Sequence, residues 1–100
     1  MSIVVIETSL RESLSAFDEL GKLVKFDCGE DGVIVIDARN PPAMMSRDDV
    51  EETDCTLEMA LDVLRQILDR ELDPTSAFMS GRLRVRGDMM VAMELSAVLG

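Results

Sequence analysis

The sequence predicts an α+β fold, an antiparallel sheet covered on one face by helices. Three observations carry that prediction. Two strand-like runs flank a glycine turn in "KLVKFDCGEDGVIVIDARN", residues 60–72 carry a broad apolar stripe at helical spacing, and "RLRVR" alternates before a final apolar helix. Elements in this order pack as layers around one core. A chain of 100 residues fits a single domain, 1–100, with room for one small internal site.

The N-terminal element comes first. Ile3, Ile6, Leu10, Leu14 and Phe17 recur at three- or four-residue steps, the stripe of an amphipathic helix. "IVVI" read alone is a strand, and Ser9 with Glu12 suits the cap of a shorter helix. The type of the first eight residues therefore stays open, while a helix over residues 10–20 is expected to end at Gly21.

Val24, Phe26 and Cys28 then alternate with Lys25 and Asp27, a strand with one wetter face. After the turn between Gly29 and Gly32, Val33 to Ile36 is apolar on both faces and is expected to be the more central strand. Pro41 and Pro42 confine any strand at residues 43–46 to a short edge, since proline cannot donate to a ladder. The acidic run from Asp48 to Asp54 reads as a solvated turn, and its spacing is not that of a calcium loop. Cys55, Leu57 and Met59 alternate with Thr56 and Glu58 as a further half-buried strand. Ala60, Leu61, Leu64, Ile67, Leu68 and Leu72 form the next helix stripe, with Asp62, Arg65, Gln66, Asp69 and Arg70 toward water.

Local punctuation is densest in residues 72–95. Asp73 before Pro74 is a helix start, an acceptor at the cap and a proline at the first helical position, and Gly81 suits the stop. Arg82, Arg84 and Arg86 alternate with Leu83 and Val85, which places the arginines on a solvated sheet face. Gly87 permits a tight strand-to-helix turn and Asp88 caps the last helix. From Met89 to Leu99 that helix is apolar nearly all round, more than one sheet contact consumes. It has neighbours on two sides, or a second apolar face that meets a ligand, a partner subunit or a membrane surface.

Composition narrows the function. With 20 acidic and 10 basic residues, a formal charge of -10 and a pI near 4.2, the overall field repels nucleic acid and anionic lipid. No apolar run is long enough to span a bilayer. "MSIVVIETS" lacks the basic region of a secretory signal and "SAVLG" is no peroxisomal address, so a cytoplasmic protein is expected. Cys28 and Cys55, without histidine or CxxC spacing, read as buried free thiols, although a disulfide across one sheet stays open. No histidine, nucleophile elbow, phosphate-binding glycine loop or metal spacing is present, so neither catalysis nor a cofactor or metal is expected. Eight methionines, among them Met79, Met89, Met90 and Met93, either fill core gaps or line an adaptable wall.

"KFDCGEDGVIVID", "DCTLEM" and "ELDPTSAFMSGRLRVRGDMMVAMEL", in this order, resemble the sterol carrier protein type 2 lipid-binding domain. The resemblance runs from Gly21 onward and is most specific in residues 72–95. There Asp73-Pro74, Ala77-Phe78-Met79, Gly81, the basic alternation, Gly87, Asp88-Met89 and Ala92-Met93 match in order. The chain departs from the peroxisomal members in its short, proline-broken third strand and in lacking their C-terminal address and extension, and small bacterial members are similar in this respect. The resemblance implies a five-stranded, mostly antiparallel sheet covered by helices, with an apolar tunnel that holds fatty acid, acyl-CoA, phospholipid or a sterol-like lipid without transforming it. The expected wall is Phe26, Ile34, Ile36, Leu64, Leu68, Phe78, Met79, Met89, Met90 and Met93. Transient membrane contact, a homodimer and a partner protein all stay open. The competing reading is a solid-cored interaction or dimerisation module with no lipid ligand.

Overall fold

The computed structural model describes residues 2–99. A five-stranded mixed sheet is layered with helices in the arrangement the sequence predicts. Helix α1 (Ile3–Glu12) opens the chain, followed by a 3₁₀ turn at Leu14–Phe17, strand β1 (Leu23–Asp27) and strand β2 (Val33–Asp37). Strand β3 (Met44–Ser46) and strand β4 (Cys55–Met59) precede helix α2 (Leu61–Leu68) and helix α3 (Pro74–Met79). Strand β5 (Leu83–Gly87) and helix α4 (Met89–Leu99) complete the fold.

The N-terminal stripe is real, but its helix lies earlier than expected. Ile3, Ile6 and Leu10 are buried along α1, which ends at Glu12, and the chain tightens into a 3₁₀ turn that still buries Phe17. The expectation of a helix over residues 10–20 is corrected accordingly. Ser9 caps nothing there, because the backbone is already helical from Ile3.

Strands run in the order β3-β2-β1-β4-β5. All neighbours are antiparallel except β1 and β4, which run parallel with Val24 opposite Cys55 and Phe26 opposite Leu57. The centre is therefore β1, not β2 as the apolar run of β2 suggested. β3 is a three-residue edge strand that begins only after Pro41 and Pro42, short and at the edge as expected.

Register divides the sheet into two faces. Val24, Phe26, Ile34, Ile36, Cys55, Leu57, Met59 and Leu83 lie on the inner face, buried against the helices in one cluster with Ile6, Leu10, Leu64, Ile67, Val91 and Leu95. Lys25, Val35, Thr56, Glu58, Arg84 and Arg86 lie on the outer face.

A parallel pair needs a crossover, and here residues 47–54 cross the outer face from the β3 edge to β4. The acidic run is thus more than a solvated turn. Lys25, only 9% exposed, donates its ammonium protons to the Asp49 carboxylate and to the Val50 carbonyl, both at 2.8 Å. The Thr53 and Thr56 hydroxyls share a hydrogen bond of 2.7 Å, and Val35 is buried beneath the strap. That cover explains why β2 is apolar on both faces without being central.

Asp54 closes the crossover. Its carboxylate accepts the Leu23 N–H at 2.8 Å, its N–H donates to the Leu23 carbonyl at 2.8 Å, and its carbonyl accepts the Asp88 N–H at 2.9 Å. Gly87 sits against this junction with φ of 99°, and a Cβ there would stand 2.7 Å from the Asp54 carbonyl oxygen. Gly87→Ala is expected to lower unfolding stability by about 2–4 kcal/mol, combining left-handed strain with the clash, measured as a shift in the urea midpoint. An unchanged midpoint would show that the β5–α4 turn has room to relax.

Candidate ligand-binding site

Two short helices build the candidate surface. Asp73 accepts the Thr75 N–H at 3.3 Å and Pro74 fills the first position of α3, so this helix starts where the sequence places it. Pro74 and Ala77 turn inward, which leaves Phe78 and Met79 outward. Asp88 caps α4 by accepting the Met90 N–H at 2.9 Å. Val91, Ala92, Leu95 and Leu99 bury the inner side of α4, and Met89, Met90, Met93 and Ala97 face away from it. α3 and α4 both pack on β5 and touch each other.

The ten predicted wall residues fall into two groups. Phe26, Ile34 and Ile36 on the inner sheet face and Leu64 on α2 are fully buried, and Leu68 at the end of α2 is partly buried. Phe78, Met79, Met89, Met90 and Met93 are exposed, at 44%, 81%, 48%, 66% and 65%. The inward side chains of α4 stand between the methionines and the sheet. Sheet and helix residues therefore form a packed floor, and the five others form an open apolar face above it.

Burying charged groups is costly, and the surroundings of this face are sorted accordingly. Arg82, Arg84 and Arg86 are exposed, as their alternation predicts, and Arg86 donates to Glu58 at 2.9 Å. A cleft of about 420 Å³ at the end of the sheet gathers Arg82 and Arg84 with Asp27 and Glu58. Its mixed charges select no ligand of one sign. On the outer face a second cleft, about 330 Å³, is lined by Leu23, Val35, Met44, Met45 and Val50 among others. Sequence reading missed it. Val50, the one apolar residue among residues 48–54, was the available signal.

Both cysteines are buried free thiols on or beside the inner face. Cys55 is in register with Val24, four positions before Cys28, or about 13 Å along a strand. That separation is beyond disulfide reach, so the pairing that sequence left open is excluded. Burial, reinforced by Asp27 and Asp31, pushes the Cys28 thiol up to about 11 from its ordinary 9.0. Burial, reinforced by Asp88 and Asp54, does the same for Cys55. Among the described residues no cluster of three or more metal-ligating side chains occurs, and no helix is long and apolar enough to cross a membrane.

This arrangement defines the class: an α+β domain whose helical layer presents an apolar surface over a buried core. The chain belongs to the SCP-2 sterol transfer family, whose profile matches residues 5–100. Proteins of this family are typically non-catalytic lipid carriers. The chain is 56% identical to human stomatin-like protein 1 over 46 residues, 46% of this chain and 12% of that protein. It is 31% identical to rat sterol carrier protein 2 over 70 residues, 70% of this chain and 13% of that one. The chain thus spans about an eighth of the length of these relatives. Among solved structures, apo sterol carrier protein 2 from Yarrowia lipolytica superposes with a TM-score of 0.78 at 18% identity, over 95% of this chain and 87% of that one. Palmitated SCP2L2 from Aedes aegypti superposes at 0.68 and 18% identity, over 99% and 95%. At such identities these likenesses speak for the fold.

The thiols give two measurable consequences. Raised above their unfolded value, they contribute stability that is complete below pH 9.0 and is lost as pH rises through about 11. Urea midpoints are expected to fall across that window, and a Cys28→Ala, Cys55→Ala double variant to lose that part of the decline. At neutral pH a thiol reagent such as dithionitrobenzoate is expected to react slowly with the folded protein and fully after unfolding. Rapid labelling of the folded chain would mean that the inner face opens readily.

Proposed function

We propose that the protein binds and carries an apolar lipid chain without transforming it, taking the chain at the face formed by Phe78, Met79, Met89, Met90 and Met93. The observation that carries this reading is the outward apolar face of α3 and α4, five large side chains left in water on adjoining helices. Phe26, Ile34, Ile36, Leu64 and Leu68 form the floor toward which a chain slides when the two short helices part. Family membership supports the lipid class. The palmitated state of the Aedes aegypti protein supports an acyl chain as the apolar part. In this reading the protein works as a bacterial-type carrier in the cytoplasm.

The physics suffices without a catalytic group. An acyl chain gains about 0.8 kcal/mol per buried methylene. Twelve methylenes therefore gain roughly 10 kcal/mol before the costs of association and ordering. Methionine suits this role because its unbranched, polarizable side chain adapts to varied shapes.

Native mass spectrometry of the freshly purified protein, with solvent extraction of what it carries, tests the proposal. A lipid present at near one-to-one ratio is expected. A bare monomer that also refuses added acyl lipids would overturn the reading, and a bare dimer would favour an interaction module that buries the same face. Met93→Glu is expected to fold normally, since the side chain is exposed, and to weaken uptake of a fluorescent fatty acid by about tenfold or more through charge placed against the chain. Arg84→Gln, on the outer sheet face, is expected to leave that affinity within about twofold. A large, salt-sensitive loss at Arg84 would place the lipid headgroup there instead.

A further inference from the structure

Thioether and thiol sulfur are distributed unequally over this molecule. Met79, Met90 and Met93 stand more than half exposed on the α3–α4 face, and Met89 is nearly so. Met44, comparably exposed, lies on the outer side of the β3 edge, in register with Asp37, away from that face. Met59, Cys28 and Cys55 are buried on the inner side. Susceptibility to peroxide follows access to sulfur and, for cysteine, thiolate character. In many proteins the reactive thiol takes the oxidant first. Here the thiols are both enclosed and held protonated, while the thioethers are open.

We propose that the methionine face of α3 and α4 is a site of oxidative modification: hydrogen peroxide converts Met79, Met90 and Met93 to sulfoxides, which close the face to apolar ligands. In each step the sulfur lone pair attacks one peroxide oxygen. The O–O bond breaks, a sulfur–oxygen bond forms and water leaves, so sulfur gives up the two electrons that peroxide gains. A flexible apolar side chain becomes a polar one with a strong acceptor oxygen, which an acyl chain cannot satisfy. Methionine sulfoxide reductases reverse the chemistry, so the closed face is recoverable. The effect on lipid rests on the carrier reading above, whereas the pattern of oxidation rests on exposure alone.

The test treats the full chain with hydrogen peroxide and maps added oxygen by peptide mass. Binding of neutral Nile red and of a fluorescent fatty acid is followed before and after. The expected map shows oxygen on Met79, Met90, Met93 and Met44, more slowly on Met89, with Met59, Cys28 and Cys55 spared. Nile red emission and fatty-acid affinity are expected to fall by about tenfold or more. A variant carrying Met79→Leu, Met90→Leu and Met93→Leu is expected to lose a markedly smaller fraction of its own untreated signals after peroxide, while Met44→Leu loses the same fraction as the unaltered protein. Oxygen appearing on Met59 or the cysteines as fast as on the three face methionines would overturn the proposal. So would full dye binding by a protein carrying all three sulfoxides, or equal loss in the triple variant. If the untreated protein takes Nile red but no fatty acid, the carrier reading falls and the dye with the mass map decides the oxidation proposal. A face that takes neither before peroxide overturns both.

Discussion

The fold depends on one residue at a three-way junction, Asp54. Its carboxylate and N–H hold both backbone groups of Leu23, and its carbonyl holds the N–H of Asp88. The first contact pins the only parallel pair of the described sheet, β1 beside β4, at its starting register. The second fixes where α4 begins relative to that pair. Because the last residue of β5 must approach the Asp54 carbonyl closely, a glycine stands at position 87. Sheet order, helix placement and turn chemistry thus meet within a few ångströms.

Holding the junction this tightly leaves the two faces of the sheet with different fates. The outer face is strapped by residues 47–54 through the Lys25 ammonium, which finds a carboxylate and a carbonyl in place of water. A lysine in the middle of a strand costs little once both are supplied. The inner face is covered by helix side chains, and Val24, Phe26, Ile34, Ile36, Cys55 and Leu57 are buried there. Adaptability is displaced to the periphery, to the short α3 and the outward side of α4, where methionines dominate and few neighbours constrain them.

Legibility in the sequence followed the range of the interaction. Asp73-Pro74, Gly81, the Arg82 to Arg86 alternation and Asp88 each act within a few residues, and the structure has them as read. Strand order depends on which distant runs pair, so the parallel alignment of β1 with β4 and the central place of β1 were invisible. The apolar run of β2 was a true signal of double cover, but the cover is a loop and not a neighbouring layer. For the site, the surplus apolar surface of α4 was legible and its direction was not. A helix apolar nearly all round gives no periodicity to say which side meets the sheet, and five of the ten wall residues proved outward while four are fully buried.

The arginines of β5 have one more consequence, for crowding. β5 ends the sheet, and an end strand offers its free backbone groups to any passing copy. Two β5 strands meeting antiparallel about Val85 would set Arg84 of each copy opposite Arg86 of the other, and like charges directly opposed are repulsive. The same alternation that turns Leu83 and Val85 toward the core therefore guards the molecule against edge-to-edge pairing of two copies, in a chain that otherwise keeps an apolar face in water.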